Sequence, residues 1–217
     1  TAKVVLGSDV TYVKNIETIS IVVWDDANSN GQKDYYPDGS KNEVQQVRSF
    51  NLAAVINEVY VDPNSTDKTK DGGGTPYANY SQFAWGNGTT GADTVDLTQE
   101  LSAQTKAMMS TYGRGAWMDF SQGGGDRIVG TAYGDDIAVG SGVNYVDGGA
   151  NGGSTPWGGK PRDTLQIYAA NATVAQSAQL VTLSNSGSSA DVAAYADGYT
   201  AKVVLGSDVT YVKNIET

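Results

Sequence analysis

The apolar positions of this chain gather in short β-branched runs separated by Gly, Asp and Asn. Ala2 to Leu6, Val10 to Ile16 and Thr18 to Trp24 are rich in Val, Ile, Thr and Tyr and are punctuated by Gly7 and Asp9, which predicts three strands. Polar residues fill 25–42, a long loop. Val44 to Leu52 alternates imperfectly and Ala53 to Val61 is a longer β-branched run, so two more strands are predicted before Pro63. The stretch 64–75, with DKTKDGGG, reads as a surface excursion. One helix is predicted over Thr98 to Ser110, where Leu101, Thr105, Met108 and Met109 share a face and Asp96 with Thr98 or Gln99 can cap the start. After Tyr168 an Ala/Ser-rich stretch of ambiguous periodicity runs to Gly198.

From Gly86 the texture changes to short Gly/Asp units. An Asp or Asn is followed two residues later by a large aliphatic in Asp126 with Ile128, Asp135 with Ile137, Asn144 with Val146 and Asp163 with Leu165. The first three of these stand nine residues apart, and glycines fall at matching places: 124, 125, 130, 134, 140, 148 and 149. The earlier unit GTTGADTVD, from Gly88 to Asp96, fits the nonapeptide pattern G-x-x-G-x-D-x-U-x with Asp93 at its acidic position. A turn of six residues and a strand of three gives such a unit a mechanical sense. The aliphatic of each strand points inward and stacks on the one below, while glycine carbonyls and one carboxylate per turn come together. Oxygen-only sites of that kind suit calcium. Gly/Asp turns in an ordinary antiparallel sheet are the alternative.

The ends of the chain carry the same eighteen residues: TAKVVLGSDVTYVKNIET fills 1–18 and returns without a mismatch at 200–217. A period of 199 residues is far longer than one solenoid turn, so it points to whole domains in an array. An engineered duplication that repairs a cut edge is the other reading.

Composition narrows the function classes. Asp outnumbers Glu by 19 to 5, a skew toward turns and short-armed oxygen ligands rather than helices. The formal charge of -10 disfavours nucleic acid and anionic membranes as partners, and no membrane insertion is expected. With no Cys and no His there is no disulfide framework, no thiolate nucleophile, no Cys/His zinc site and no Ser-His-Asp triad. Only a paired-carboxylate glycosidase remains on the catalytic side. Glu58 and Glu100 are its available glutamates and neither lies in a recognisable motif, so the chain is read as not an enzyme.

The stretch GGGDRIVGTAYGDDIAVGSGVNYVDGG resembles the RTX family of calcium-binding nonapeptide-repeat proteins over about 86–168. The resemblance implies a right-handed parallel β-roll with Ca2+ held by Asp93, Asp126, Asp135, Asn144 and Asp163, and the neighbouring Asp136 and Asp147 join the candidate ligands. It departs from the pattern where Asn144 replaces an Asp, where Tyr133 or Val139 adds a residue, and where NGGSTPWGGKPR is inserted before Asp163. A second calcium candidate lies in WDDANSNGQKD: Asp26, Asn28, Asn30 and Asp34 take alternate positions of an EF-hand-like loop, Gly31 supplies the turn and Gln32 a carbonyl. Position 12 is Pro37 in place of the usual Glu, with Asp38 or Glu43 as substitutes, and a polar turn is the alternative. The loop is similar to those of bacterial surface β-sandwich repeats.

The expectation is therefore a mainly β chain: a β-sandwich-like region with a calcium loop (1–85), a short right-handed parallel β-roll with one short helix (86–168), a return segment (169–199) and the start of the next repeat (200–217). Its expected role is a calcium-stabilised structural or adhesive repeat module of a secreted bacterial surface protein or extracellular filament, with neighbouring copies of itself as partners. The alternative is a glycan-binding module using Tyr77, Tyr80, Phe83, Trp85 and Trp157.

Overall fold

The computed structural model describes backbone alone for strands at 2–6, 9–13, 18–24 and 44–51. Backbone and side chains are described for 54–59, 67, 69–70, 74–80 (backbone alone at 78), 82–150 and 162–215. Compactness divides the chain into Thr1–Ala53 and Ala54–Thr217, a boundary well before the 85/86 border that the change of sequence texture suggests.

In the first unit, β1 (Ala2–Leu6) pairs antiparallel with β2 (Asp9–Val13), and β3 (Thr18–Trp24) pairs antiparallel with β4 (Val44–Asn51). The β3/β4 register shifts between Ile21 and Val22, a bulge. Among the described residues these are two separate two-stranded sheets.

The second unit carries two larger sheets. Its strands are β5 (Val55–Glu58), β6 (Ala84–Asn87), β7 (Thr94–Asp96), β8 (Ala116–Phe120), β9 (Arg127–Val129), β10 (Asp136–Val139), β11 (Val143–Asp147), β12 (Thr164–Ile167), β13 (Gln179–Thr182), β14 (Ala201–Leu205) and β15 (Asp208–Lys213). One sheet has the order β12-β10-β8-β6-β5 and the other β13-β14-β15-β11-β9-β7. From β6 to β12 successive strands go to opposite sheets, and each pairs in parallel with its second neighbour in sequence. Antiparallel partners join at the edges: β5 on one sheet, and β13 and β14 on the other.

Among the described residues four α-helices complete the unit: α1 (Leu97–Glu100), α2 (Ala103–Tyr112), α3 (Ala172–Gln176) and α4 (Ser189–Ala196). The expected mainly β architecture, a sandwich-like region followed by a right-handed parallel β-roll, is thus corrected to a mixed α/β fold with two mixed sheets of five and six strands. The physical reason lies in the segments between and after the nine-residue units. Residues 97–112 and 172–196 carry helix caps and helix formers, and the return hairpin pairs antiparallel, which the local strand pattern does not reveal.

The single predicted helix is two. Asp96 accepts from the Thr98 N–H at 2.9 Å while Glu100 accepts from the Asp96 N–H at 3.0 Å, a reciprocal cap for α1. Leu101 is extended, and Ser102 then accepts from the Thr105 N–H to start α2, which ends at Gly113 in the left-handed region (φ 64°).

One core fills the space between the inner faces. Ala84, Met118, Phe120, Ile137 and Val139 come from the five-stranded sheet, Val95, Ile128 and Val146 from the six-stranded one, and Leu97, Leu101 and Met109 from α1, α2 and their link. Ile128 and Val146 are opposite each other in register, as are Met118, Ile137 and Leu165. The aliphatic of one nonapeptide therefore stacks on that of the next but one, not on its sequence neighbour. Close stacking leaves no room at the turns. A Cβ on Gly124 (φ 128°) would collide with the Gly91 carbonyl and one on Gly149 (φ 92°) with that of Thr131.

Candidate functional site

Two ladders of short polar side chains run along the starts of the parallel strands. In the six-stranded sheet, Asp93, Asp126, Asn144 and Thr210 stand at one level of successive strands. Asp126 accepts from the Asp93 N–H at 3.0 Å, and Asn144 Oδ1 accepts from the Asp126 N–H at 2.9 Å. The Asn144 amide donates to Thr210 Oγ1 at 3.4 Å and to the Gly140 carbonyl at 3.0 Å. Asp126 and Asn144 thus each take up the backbone N–H of the neighbouring strand, and that bond replaces the water these buried groups have lost.

The carboxylates of the ladders differ in their local support. Thr89, four residues before Asp93, gives it both an N–H (2.7 Å) and a hydroxyl. Thr131 does the same for Asp135, with its N–H at 2.5 Å and its hydroxyl at 2.9 Å. Asp126 has Gln122 at that position, and its Oδ2, in a residue only 1% exposed, has no hydrogen-bond partner among the described residues. Burial pushes the Asp126 carboxyl up to about 6 against the hydrogen bond from the Asp93 N–H, with the Asp93 charge acting in the same direction as burial.

The second ladder occupies the five-stranded sheet, where Ala84, Ala116, Asp135 and Asp163 share a level. Asp135 accepts from the Ala116 N–H at 2.6 Å, and Asp163 from the Asp135 N–H at 2.8 Å. Both carboxylates are fully buried. Burial drives Asp135 up to about 7, and the charge of Asp163 acts in the same direction.

Of the candidate ligands, Asp93, Asp126 and Asn144 are brought into one ladder and Asp135 and Asp163 into the other. Asp136 and Asp147 belong to neither. Asp136 faces outward and accepts from Gln82 Nε2 at 3.2 Å, while Asp147 is held by Lys213 at 3.0 Å and by Asn214 at 2.8 Å. Asp26, Asn28, Asn30, Gln32 and Asp34 lie outside the described residues. The residues missed from sequence are Thr89 and Thr131, whose signal was the spacing Thr-x-x-x-Asp, and Ala116, which holds a ladder level without an acid.

Among the described residues no group of three or more acids gathers around one point. A cation would meet carboxylates in pairs, Asp93 with Asp126 or Asp135 with Asp163, and would need backbone carbonyls for the rest of its shell. The orphaned Asp126 Oδ2 and the acceptor-only chemistry of two adjacent carboxylates fit such an ion.

The aromatic set divides. Tyr77 and Phe83 are buried in the core, Tyr80 packs edge-on to Trp85, and Trp157 lies outside the described residues. Trp85 pairs in register with Trp117 on the outer face of the five-stranded sheet, and Trp117 is 36% exposed. Glu58 and Glu100 both hold helix starts, Glu58 accepting from Ser102 Oγ at 2.6 Å. Among the described residues no helix is long and apolar enough to cross a membrane. No family model, no curated protein and no solved structure matches this chain.

Proposed function

We propose that this chain is a structural repeat module of a secreted bacterial surface protein or extracellular filament, stiffened by calcium along its aspartate ladders. The observation that carries the structural role is the duplicated segment. Both copies form the same antiparallel hairpin in the same register, Ala2 opposite Val13 and Ala201 opposite Val212, and the second copy closes the six-stranded sheet through β15 on β11. A spacer needs such a joint at every repeat, whereas a catalyst rarely needs copies.

Calcium supplies charge compensation where the chain has none. Asp126 and Asp135 are buried beside further acids with, among the described residues, no basic side chain bonded to them, so ionised they destabilise the stack and bound to a cation they cross-link it. Isothermal titration of calcium into the chelated chain checks this: binding that weakens strongly in D126N supports it, and an absence of heat at any calcium concentration counts against it.

Glycan binding is a second reading, favoured by the Trp85 and Trp117 pair. Two indoles on a sheet face with Asn87 and Asp119 on the next outward level offer stacking surface and hydrogen-bonding groups together. Retardation of the chain in gels containing neutral polysaccharides, abolished by Trp117→Ala without loss of melting temperature, would favour it.

A further inference from the structure

The second hairpin is held by groups that are nearly all its own. On one side β15 lies parallel to β11, with the Val209 N–H donating to the Gly142 carbonyl at 3.0 Å and the Asp208 carboxylate accepting from the Gly142 N–H at 2.9 Å. On the other side β14 lies antiparallel to β13. Tyr211 stacks on Tyr145 with centroids 4.9 Å apart, Lys202 pairs with Asp191 at 2.7 Å, and Lys213 pairs with Asp147 at 3.0 Å. Thr210 closes the buried ladder beneath Asn144.

Every one of these hairpin groups exists a second time. Asp9, Val10, Thr11, Tyr12, Lys3 and Lys14 of the first copy correspond to Asp208, Val209, Thr210, Tyr211, Lys202 and Lys213. Among the described residues the first hairpin is a sheet of two strands, so both of the edges that β11 and β13 cover in the second copy have no strand beside them in the first. Identical sequence in identical register has the same affinity for the same slot.

We infer that the slot between β11 and β13 of one chain accepts the Thr1–Thr18 hairpin of a second copy. This deepens the repeat-module reading and rests on it. The contact is head-to-tail, one hairpin and one slot per chain, so it propagates rather than closing. A chain's own second copy competes at a higher effective concentration, and exchange therefore becomes visible when that copy is weakened.

The full chain provides the test. Val209→Pro removes the N–H that binds the Gly142 carbonyl, and Val10→Pro makes the same change in the first copy. The V209P chain should form concentration-dependent oligomers in sedimentation and lose less than half the melting temperature lost by V10P/V209P, which should stay monomeric. A V209P chain that sediments as a monomer overturns the inference. The absence of Cys allows a second test in the unweakened fold. V10C/V143C, in register for the slot, should give disulfide-linked multimers on a non-reducing gel at least several-fold above those of V10C/L180C, which places the second thiol on exposed but out-of-register Leu180. Equal yields overturn it. Calcium binding is read separately in each variant, so failed exchange with intact binding removes the slot and leaves the module reading standing.

Discussion

The two ladders hold the same kind of side chain at the same place in a strand, yet they are built differently. The six-stranded sheet carries a polar residue at all four levels and dilutes its charge with Asn144 and Thr210. The five-stranded sheet begins with Ala84 and Ala116 and then places Asp135 against Asp163. Asp135 is surrounded by donors from Ala116 and Thr131, whereas Asp126 keeps one buried oxygen with none. A buried carboxylate is thus a strut for the donors that converge on it, while its charge costs stability at both positions. The bare oxygen is where a cation has something to add.

Breaking the strut should cost most. Asp135→Ala strands the Ala116 and Thr131 donors in the interior and should lower stability by about 3–5 kcal/mol in urea melts, while Asp136→Ala next to it, outward-facing, should cost less than about 1 kcal/mol. Gly124→Ala combines a positive φ with a backbone collision and should cost about 2–4 kcal/mol; Gly74→Ala, with φ 87° but nothing near its Cβ, should cost about 1 kcal/mol.

One substitution with opposite signs sharpens the contrast. In chelator at pH 8, Asp126→Asn keeps the oxygen that binds the Asp93 N–H and removes a buried charge, so stability should rise by about 1 kcal/mol. Asp135→Asn turns an amide N–H toward the donors of Thr131 and should lower it by about 2 kcal/mol. Two losses, or two gains, would show that the local donors do not distinguish the ladders.

A further effect is in pH. Asp126 and Asp135 hold protons more tightly folded than unfolded, so their contribution to stability is full below the unfolded value of about 3.9 and is lost as pH rises through about 6 and then about 7. Metal-free melting temperature should therefore decline from pH 4 toward pH 8, more shallowly in D126N.

Much of this arrangement was legible in the residues, and the rest was not for identifiable reasons. The Asp-x-aliphatic pairs located Ile128, Ile137 and Val146 in the core and put Asp126, Asp135 and Asn144 at buried strand starts. Periodicity says which residues face inward but not which strand lies alongside, so the alternation between sheets and the antiparallel edges were invisible. β8 escaped notice because Ala116 occupies its ladder position, although Ala116, Met118 and Phe120 alternate as a half-buried strand should. The Ala/Ser-rich stretch resolves into α3, β13 and α4 through caps at Asn171 and Ser188, signals too short to outweigh its weak hydrophobic pattern. The sandwich-and-roll expectation failed at the same level, in pairing rather than in strand content.

The central claim is that cations complete the buried acids, and thermal melting at pH 8 in chelator and in excess calcium tests it most directly. At free calcium about 100 times the dissociation constant one site adds roughly 2.7 kcal/mol. The melting temperature should rise by about 5 °C or more, reversing the metal-free decline with pH, and D126N should forfeit most of that gain. A melt that is the same with and without calcium would contradict the account.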